Sequence, residues 1–278
     1  MIARVFSAAI VGLEAQIVEV EVETNYGLRS FNIVGLPDKS VEEAKERVGT
    51  AIKSLGFPSP HNQPIKVLVS LAPADLKKEG SFYDLPIAIA YLSSIKKIKF
   101  DAGNKIFLGE LSLEGRLKPI KGAISFALAA KENGYSELIL PKENASEASI
   151  IEGINVIGVE NLKEVIAYLQ NKKVIPPFKA NLLEFYKNKQ NYPLDLGHIK
   201  GQESAKRALQ ISAAGGHNLL MVGPPGSGKT LLAKSLPSIL PPLSFDESLE
   251  LTKIYSIAGL LLKDKPFITL RPFRAPHH

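Results

Sequence analysis

The chain has 278 residues, 45% hydrophobic and 22% charged, with no cysteine, and its net charge is +6. The charge is unevenly placed: residues 1–178 carry 21 Lys and Arg against 21 Asp and Glu, whereas residues 179–278 carry 13 against 7. Disulfides, thiolate nucleophiles and cysteine-ligated zinc are thereby excluded, the length supports two cores of ordinary domain size, and the basic second part suits either phosphate or a solvated lysine-rich surface. The opening MIARVFSAAIVGL shares one arginine and a short apolar core with signal peptides. It runs directly into AQIVEVEVET, however, where Ile17, Val18, Val20 and Val22 among glutamates read as a strand, so it is taken as part of the fold. FNIVGL (Phe31 to Leu36) is a second strand. A helix follows, with Ser40 and Glu43 as a capping box, an apolar stripe of Val41, Ala44, Val48, Ala51 and Leu55, and Gly56 as its stop. Lys66 to Pro73 reads as a buried strand and Asp84 to Ile95 as a buried helix. The longest apolar run, Leu85 to Leu92, contains Pro86 and is far short of the roughly 20 residues that span a bilayer, so no membrane span is expected, and the lack of cysteine fits the cytoplasmic location that is expected. Ile106 to Ile120 reads as a hairpin turning at Glu114 and Gly115. Next come a helix from Ala123 ended by Gly134, a strand ELIL, a short helix near Ala145, a strand NVIGV and a helix over Leu162 to Leu169. Residues 172–196, rich in Pro, Lys and Asn, read as a linker, which places one domain at 1–171 and a second at 197–278.

In the second domain, Gly223, Pro224, Pro225, Gly226, Ser227, Gly228, Lys229 and Thr230 form G-x-x-x-x-G-K-T. The apolar LLMV before this loop is expected to be a buried parallel strand, and LLAKSLPSIL after it a helix at least as far as Pro237. Glycines let the backbone wrap closely enough for successive N–H groups to face phosphates, and the helix N-terminus adds its dipole. In such a loop Lys229 reaches the terminal phosphates and the Thr230 hydroxyl ligates Mg²⁺, so ATP and Mg²⁺ are the expected cofactors. Upstream, HIKGQESAKRALQISAAGG is a helix entered through Gly201, with Ala205, Leu209 and Ser212 or Ala213 on one face.

Hydrolysis by a phosphate-loop protein also needs a second acid, usually at the end of another buried strand. After Thr230 the only acids are Asp246, Glu247, Glu250 and Asp264. Asp246 and Glu247 follow LPPLSF, whose Pro241 and Pro242 a central strand would not tolerate, and Asp264 has no acidic neighbour. All four are read as surface charge, and no catalytic residue is assigned.

The order of blocks carries a resemblance: APADLKKEGSFYDLPIAIAYL, LGELSLEGRLKPIKGA, GQESAKRALQISAAGGHNLLMVGPPGSGKT and RPFRAPHH. With these blocks the chain resembles the YifB/ComM group of magnesium-chelatase-like AAA+ ATPases over its whole length. The resemblance implies an α/β chain: an N-terminal Lon-protease-like α+β domain, similar to domain 2 of ribosomal protein S5, followed by a partial P-loop AAA+ α/β domain. It implies that Ile199, Gly201 and Gln202 line an adenine pocket. It also implies a ring, as a homo-hexamer, and an acidic metal-holding motif, an arginine finger and a helical lid beyond RPFRAPHH, so the chain is expected to correspond to the N-terminal half of such a protein.

Laid on the Lon segments, KEGSFYDLPIA puts Phe82 at the nucleophile and PIKGAIS puts Ile124 at the lysine. Neither side chain can move a proton, so the domain is expected to be inactive as a peptidase. Ser81 and Lys121 lie one and three residues away, a slipped pair. Similar inactive Lon-like domains in a bacterial recombination ATPase help form a ring and contact DNA, and Asp84 falls where that family also has Asp. Lys77, Lys78, Arg116, Lys118 and Lys121 form a basic face if the hairpin gathers them and otherwise a scattered solvated set, the reading favoured here, while Arg271 and Arg274 are spaced either to meet phosphate or to serve as a structural anchor; DNA contacts at Lys118, Lys121, Arg271 and Arg274 are one of the two expectations. His61, His198 and His217 have no metal-ligand spacing, and adjacent His277 and His278 point apart. The function implied by the resemblance is an ATP-driven motor in DNA processing, similar to a branch-migration helicase. The alternatives are a chelatase motor subunit acting on a porphyrin, and a nucleotide-binding scaffold without turnover.

Overall fold

Alternation in the second strand builds the sheet. In the computed structural model, which describes residues 2–180, 192–262 and 264–275, β1 (Ile2–Val11) and β2 (Glu14–Tyr26) form a long antiparallel hairpin with Val5 opposite Val20. Val18, Val20 and Val22 are fully buried, while Glu19 and Glu21 stand on the other face with Arg4, at 2.5 and 2.8 Å. This is the period-2 pattern of a strand with one buried face. β3 (Ser30–Val34), β4 (Ile65–Ala72), β5 (Lys105–Phe107), β8 (Glu137–Pro141) and β9 (Asn155–Val159) complete a seven-stranded sheet of order β3-β4-β2-β1-β5-β8-β9. Only β1–β2 and β2–β4 pair antiparallel, so the sheet is mixed and mostly parallel. β6 (Glu110–Leu111) and β7 (Leu117–Lys118) form a separate hairpin that turns through Leu113 to Gly115. The chain has a mixed α/β fold.

Helices pack on both faces of the β5-β8-β9 part, where Phe107, Ile139 and Ile157 and, on the opposite face, Ile106, Leu138 and Val156 are all buried. α3 (Asp84–Ser94) is buried at every residue except Ser93 and lies against β1 and β2; α4 (Ala123–Glu132) lies against β2; α2 (Ala44–Ser54) packs on α3. Such all-round burial is why DLPIAIAYLSS shows little amphipathic contrast: it is a core helix. The Ser40–Glu43 capping box does not form. Asp38 caps instead, its carboxylate accepting from Val41 N at 2.8 Å, so the cap lies two residues earlier, helix begins at Lys39 as α1 (Lys39–Glu42) and breaks at Glu43 before α2. Gly35 is held at φ +107°, where a Cβ would come 2.1 Å from the Leu71 carbonyl oxygen, so only glycine fits between β3 and β4. α5 (Ala145–Ala148) and α6 (Leu162–Leu169) complete this part, α6 being capped by Asn161.

The chain divides into two compact units, residues 1–180 with 253–266, and residues 181–252 with 267–278. In the first unit, Glu147 is a buried hub. Ser256 Oγ donates to its carboxylate, Ile124 N donates at 2.8 Å, and Gly122 N donates to Ser256 Oγ at 2.9 Å. Burial pushes the Glu147 carboxyl above its ordinary value against these hydrogen bonds.

The second unit contains α7 (Glu203–Gly215), α8 (Lys229–Ser235) and the first part of α9 (Phe245–Ala258) around a small core of Leu196, Ile199, Leu209 and Leu232. No strand occurs in it among the described residues. The expected strand LLMV is therefore a correction: Leu220 and Val222 are 87% and 88% exposed and the segment joins no ladder. A strand needs a neighbour to satisfy its N–H and C=O groups, and the described residues of this unit supply none.

Candidate nucleotide site

The loop before α8 is shaped by two glycines in the left-handed region, Gly226 at φ +80° and Gly228 at φ +87°, the latter being the N-cap of α8. Added Cβ atoms there would meet nothing within 4 Å, so the conformation, not crowding, demands glycine. Lys229 folds back over the loop, its Nζ donating to Gly223 O at 2.7 Å, Pro224 O at 2.8 Å and Ser227 Oγ at 3.3 Å. Ser227 Oγ donates to Pro224 O at 2.9 Å and closes the turn. Beside it lies a cavity of about 450 Å³ whose walls include Gln202, Ala205, Met221, Gly223 and Lys229.

The other expected residues divide. Gln202, at φ +59°, enters α7 and reaches the loop, Nε2 to Ser227 O at 3.5 Å. Gly201 is at φ +69° and does not line the cavity; Ile199 is 8% exposed and packs in the small core rather than on the cavity wall. An isoleucine within reach of Leu209 and Leu232 gains more from burial there than from an open wall. Pro225 and Thr230 are exposed. The donor set fits a polyphosphate: one ammonium, an open turn of glycine backbone at a helix start, and a hydroxyl for a hard cation. When bound, Mg²⁺ would supply charge neutralisation between phosphates, with Thr230 to hold it and Lys229 to pair with phosphate oxygens.

The acids after Thr230 lie on no strand. Asp246 and Glu247 open α9, where Ser244 N donates to Glu247 Oε2 at 2.8 Å and Glu247 N to Ser244 Oγ at 3.2 Å, a reciprocal capping box that S-F-D-E could have announced. Arg271 Nη2 pairs with both oxygens of Glu247, at 3.0 and 3.1 Å, and its Nε donates to Pro241 O at 2.8 Å. The Ser244 N–H and then Arg271 hold the Glu247 carboxyl below the ordinary carboxylate range. Asp264 sits in a turn of the first unit.

At the Lon-like position, the Phe82 ring meets Phe126 edge-on at 5.1 Å and Ile124 is fully buried, so both serve packing. Ser81 Oγ donates to Glu110, which also accepts from Lys118 Nζ at 2.7 Å; burial raises Glu110, and these two donors outweigh it to hold the carboxyl low. Asp84, fully buried, takes Arg47 bidentately at 2.7 and 2.9 Å and accepts from Leu111 N at 3.0 Å. The basic face does not assemble as a free set. Lys78 is fully buried, donates to Pro73 O, and is pulled below the usual lysine value by burial. Lys77 pairs with Glu79 at 2.5 Å, Arg116 with Glu114 at 3.5 Å and Lys118 with Glu110. Lys121 is exposed with its stem against Gly259, and Arg274 is exposed. His277 and His278, and residues 181–191 of the expected linker, lie outside the described residues. Among the described residues no helix is long and apolar enough to cross a membrane, and no cluster of three His, Asp or Glu is placed to hold a metal.

Two family models match: subunit ChlI of Mg-chelatase over residues 20–144, and magnesium chelatase, subunit ChlI, over residues 195–278. A Mycobacterium tuberculosis protein, Rv2897c, is 41% identical over 276 residues, covering 99% of this chain and 54% of its own. YifB of Escherichia coli is 40% identical, covering 99% of this chain and 53% of its own, and the competence protein ComM of Haemophilus influenzae is 40% identical, covering 100% and 54%. The chain thus spans about half the length of the curated relatives it matches. Lon protease 2 of Bacillus subtilis is 30% identical over 165 residues, 54% of this chain and 29% of that protein.

Proposed function

Because the chain belongs to the magnesium-chelatase-like AAA+ group that includes YifB and ComM, we propose that its Gly223–Thr230 loop binds ATP with Mg²⁺ and that the whole protein is a ring-forming motor acting on DNA. The observation that carries the nucleotide reading is the Lys229 ammonium held over an open glycine turn at the start of a helix, beside a cavity large enough for a ligand. Lys229 exchanges its two carbonyl partners for phosphate oxygens; Thr230 holds the cation; Gln202 fixes the edge of the pocket. Residues 1–171 act as an inactive Lon-like scaffold and residues 197–278 as the first part of the motor, joined by residues 172–196. The DNA reading draws on the competence role in the name of ComM.

The chain as it stands binds nucleotide without turning it over, since none of its acids after Thr230 among the described residues stands at a strand end. A chelatase motor acting on a porphyrin is the second reading, favoured by the descriptions of both family models. Phosphate release is to be followed for this chain and for one of the relatives' full length, with branched DNA, with single-stranded DNA and with a porphyrin. Stimulation by DNA in the longer chain alone is expected; stimulation by porphyrin alone would replace the DNA reading with the chelatase one.

A further inference from the structure

Three segments of the second unit enclose a cavity that the nucleotide loop does not use. Residues 192–194, Lys234 with Pro237, and residues 270–273 line a space of about 360 Å³, within the size range of pockets that take small organic ligands. The walls are tied to one another. Arg271 N donates to the Tyr192 hydroxyl at 3.1 Å, Arg271 Nε to Pro241 O at 2.8 Å, and Leu196 N to Ser238 Oγ at 3.1 Å. Pro193, Pro237 and Pro272 in the lining have φ fixed by their rings and no N–H to offer. The cavity is therefore preformed, and a ligand entering it does not have to order the backbone around it.

Its lining has a chemical bias. Leu194, Leu270, Phe273 and the prolines supply apolar surface, and no carboxylate is among the lining residues. Both charged groups present are cations, and only one is free: Arg271 is held by Glu247 at 3.0 and 3.1 Å, whereas the Lys234 side chain makes no ion pair or hydrogen bond among the described residues. The Tyr192 hydroxyl, which accepts from Arg271 N, still has its own proton to donate. An apolar body carrying one carboxylate matches this set, with walls that take its carbon out of water, an ammonium for its charge and a hydroxyl donor for its oxygens. A cationic ligand would meet Lys234 and no acid. We propose that the cavity is a binding site for an apolar carboxylate, supplied either as a free aromatic or aliphatic acid or as the carboxyl end of a peptide finishing in a large apolar residue. Lys229 opens α8 and Lys234 stands in its last turn, but the cavity uses no residue of the Gly223–Thr230 loop, so the proposal does not depend on the nucleotide reading.

The test is calorimetric titration of the wild-type chain, Lys234→Gln, Phe273→Ala and Lys229→Ala with naphthoate and its uncharged amide, and with a short acetylated peptide ending in phenylalanine, as free acid and as amide. The wild type is expected to bind each acid up to about 5-fold more tightly than its amide, the worth of an exposed ion pair. Lys234→Gln is expected to erase that preference and leave the affinity for the amides unchanged. Phe273→Ala is expected to weaken acid and amide alike by about 10-fold, since it removes apolar wall. Lys229→Ala should bind as the wild type does. Lys234 is exposed, so its replacement leaves the fold intact and decides the matter even where Phe273→Ala is unstable. Binding of naphthoate alone would identify the ligand as a small acid and binding of the peptide alone as a chain terminus, and either supports the proposal. No binding of either acid, equal affinity for acid and amide, or a preference that survives Lys234→Gln would overturn it. Binding lost in Lys229→Ala would place the probe in the nucleotide loop and overturn it too.

Discussion

Replacing Arg47 by alanine isolates the energetics of the charge buried beneath the Lon-like hairpin. Asp84 is fully buried and Arg47 has 19% of its side chain exposed, with two contacts of 2.7 and 2.9 Å between them. In the variant the carboxylate keeps only Leu111 N–H, and removing one partner of a buried pair costs about 3–5 kcal/mol. The pH dependence is the sharper reading. Burial raises Asp84 from the ordinary 3.8 to about 6, even against Arg47; at about 1.36 kcal/mol per unit, ionising it inside the fold costs roughly 3 kcal/mol. A raised carboxyl contributes stability that is fully present below 3.8 and lost as pH rises through about 6. Without Arg47 the folded value moves higher still, so the variant's deficit is small where the carboxyl is neutral in both proteins and full where the wild type is ionised. Urea denaturation at pH 7.5 should show a loss of about 3 kcal/mol for Arg47→Ala, shrinking to about 1 kcal/mol at pH 4.5, because titration between about 6 and 7.5 carries at most about 2 kcal/mol. A loss below about 1 kcal/mol at pH 7.5, or equal losses at both pH values, would refute the account of this pair.

Three further outcomes follow from the same structure. Ser244→Ala removes the acceptor for Glu247 N at the start of α9 and should destabilise by about 1 kcal/mol, read as a shift in the urea midpoint; no shift would mean the capping box is not formed in solution. Ser256→Ala deprives Glu147 of a donor and Gly122 N of an acceptor, and is expected to cost about 1–3 kcal/mol by the same measurement. Leu220→Ser with Val222→Ser should change stability by no more than about 0.5 kcal/mol, since both side chains are exposed; a loss of several kcal/mol would show that the segment packs as a strand after all.

The sequence was legible where one physical signal dominated. Period-2 alternation disclosed β2, and apolar density with a following stop disclosed α3 and α4, because burial on one or all sides writes itself into composition. It was less legible where two local signals competed. Asp38 and Ser40 both offer a capping oxygen, and the earlier one won, in a loop where Asp38 also accepts from Gly80 N at 3.3 Å. Glu247 reads as surface charge by itself, although Ser244 three residues before it makes a helix-start signature. Long-range contacts left no local trace: nothing near Arg47 names Asp84, and nothing near Lys78 says that its ammonium is buried on Pro73 O. At the nucleotide loop the glycine positions and Lys229 are readable from the motif, whereas the burial of Ile199 depends on Leu209 and Leu232 arriving from two other helices. The LLMV strand failed for a related reason: strand propensity is realised only against a paired neighbour.

The central claim is that the Gly223–Thr230 loop holds nucleotide through Lys229, and titration of labelled ATP with Mg²⁺ into the wild-type chain and Lys229→Ala tests it most directly, with phosphate release followed in the same samples. Binding by the wild type that is lost in the variant, without phosphate release from either, is the result the account predicts. Equal binding by both chains would contradict the assignment of the loop, and Lys229-dependent phosphate release would contradict the proposal that this chain binds nucleotide without turning it over.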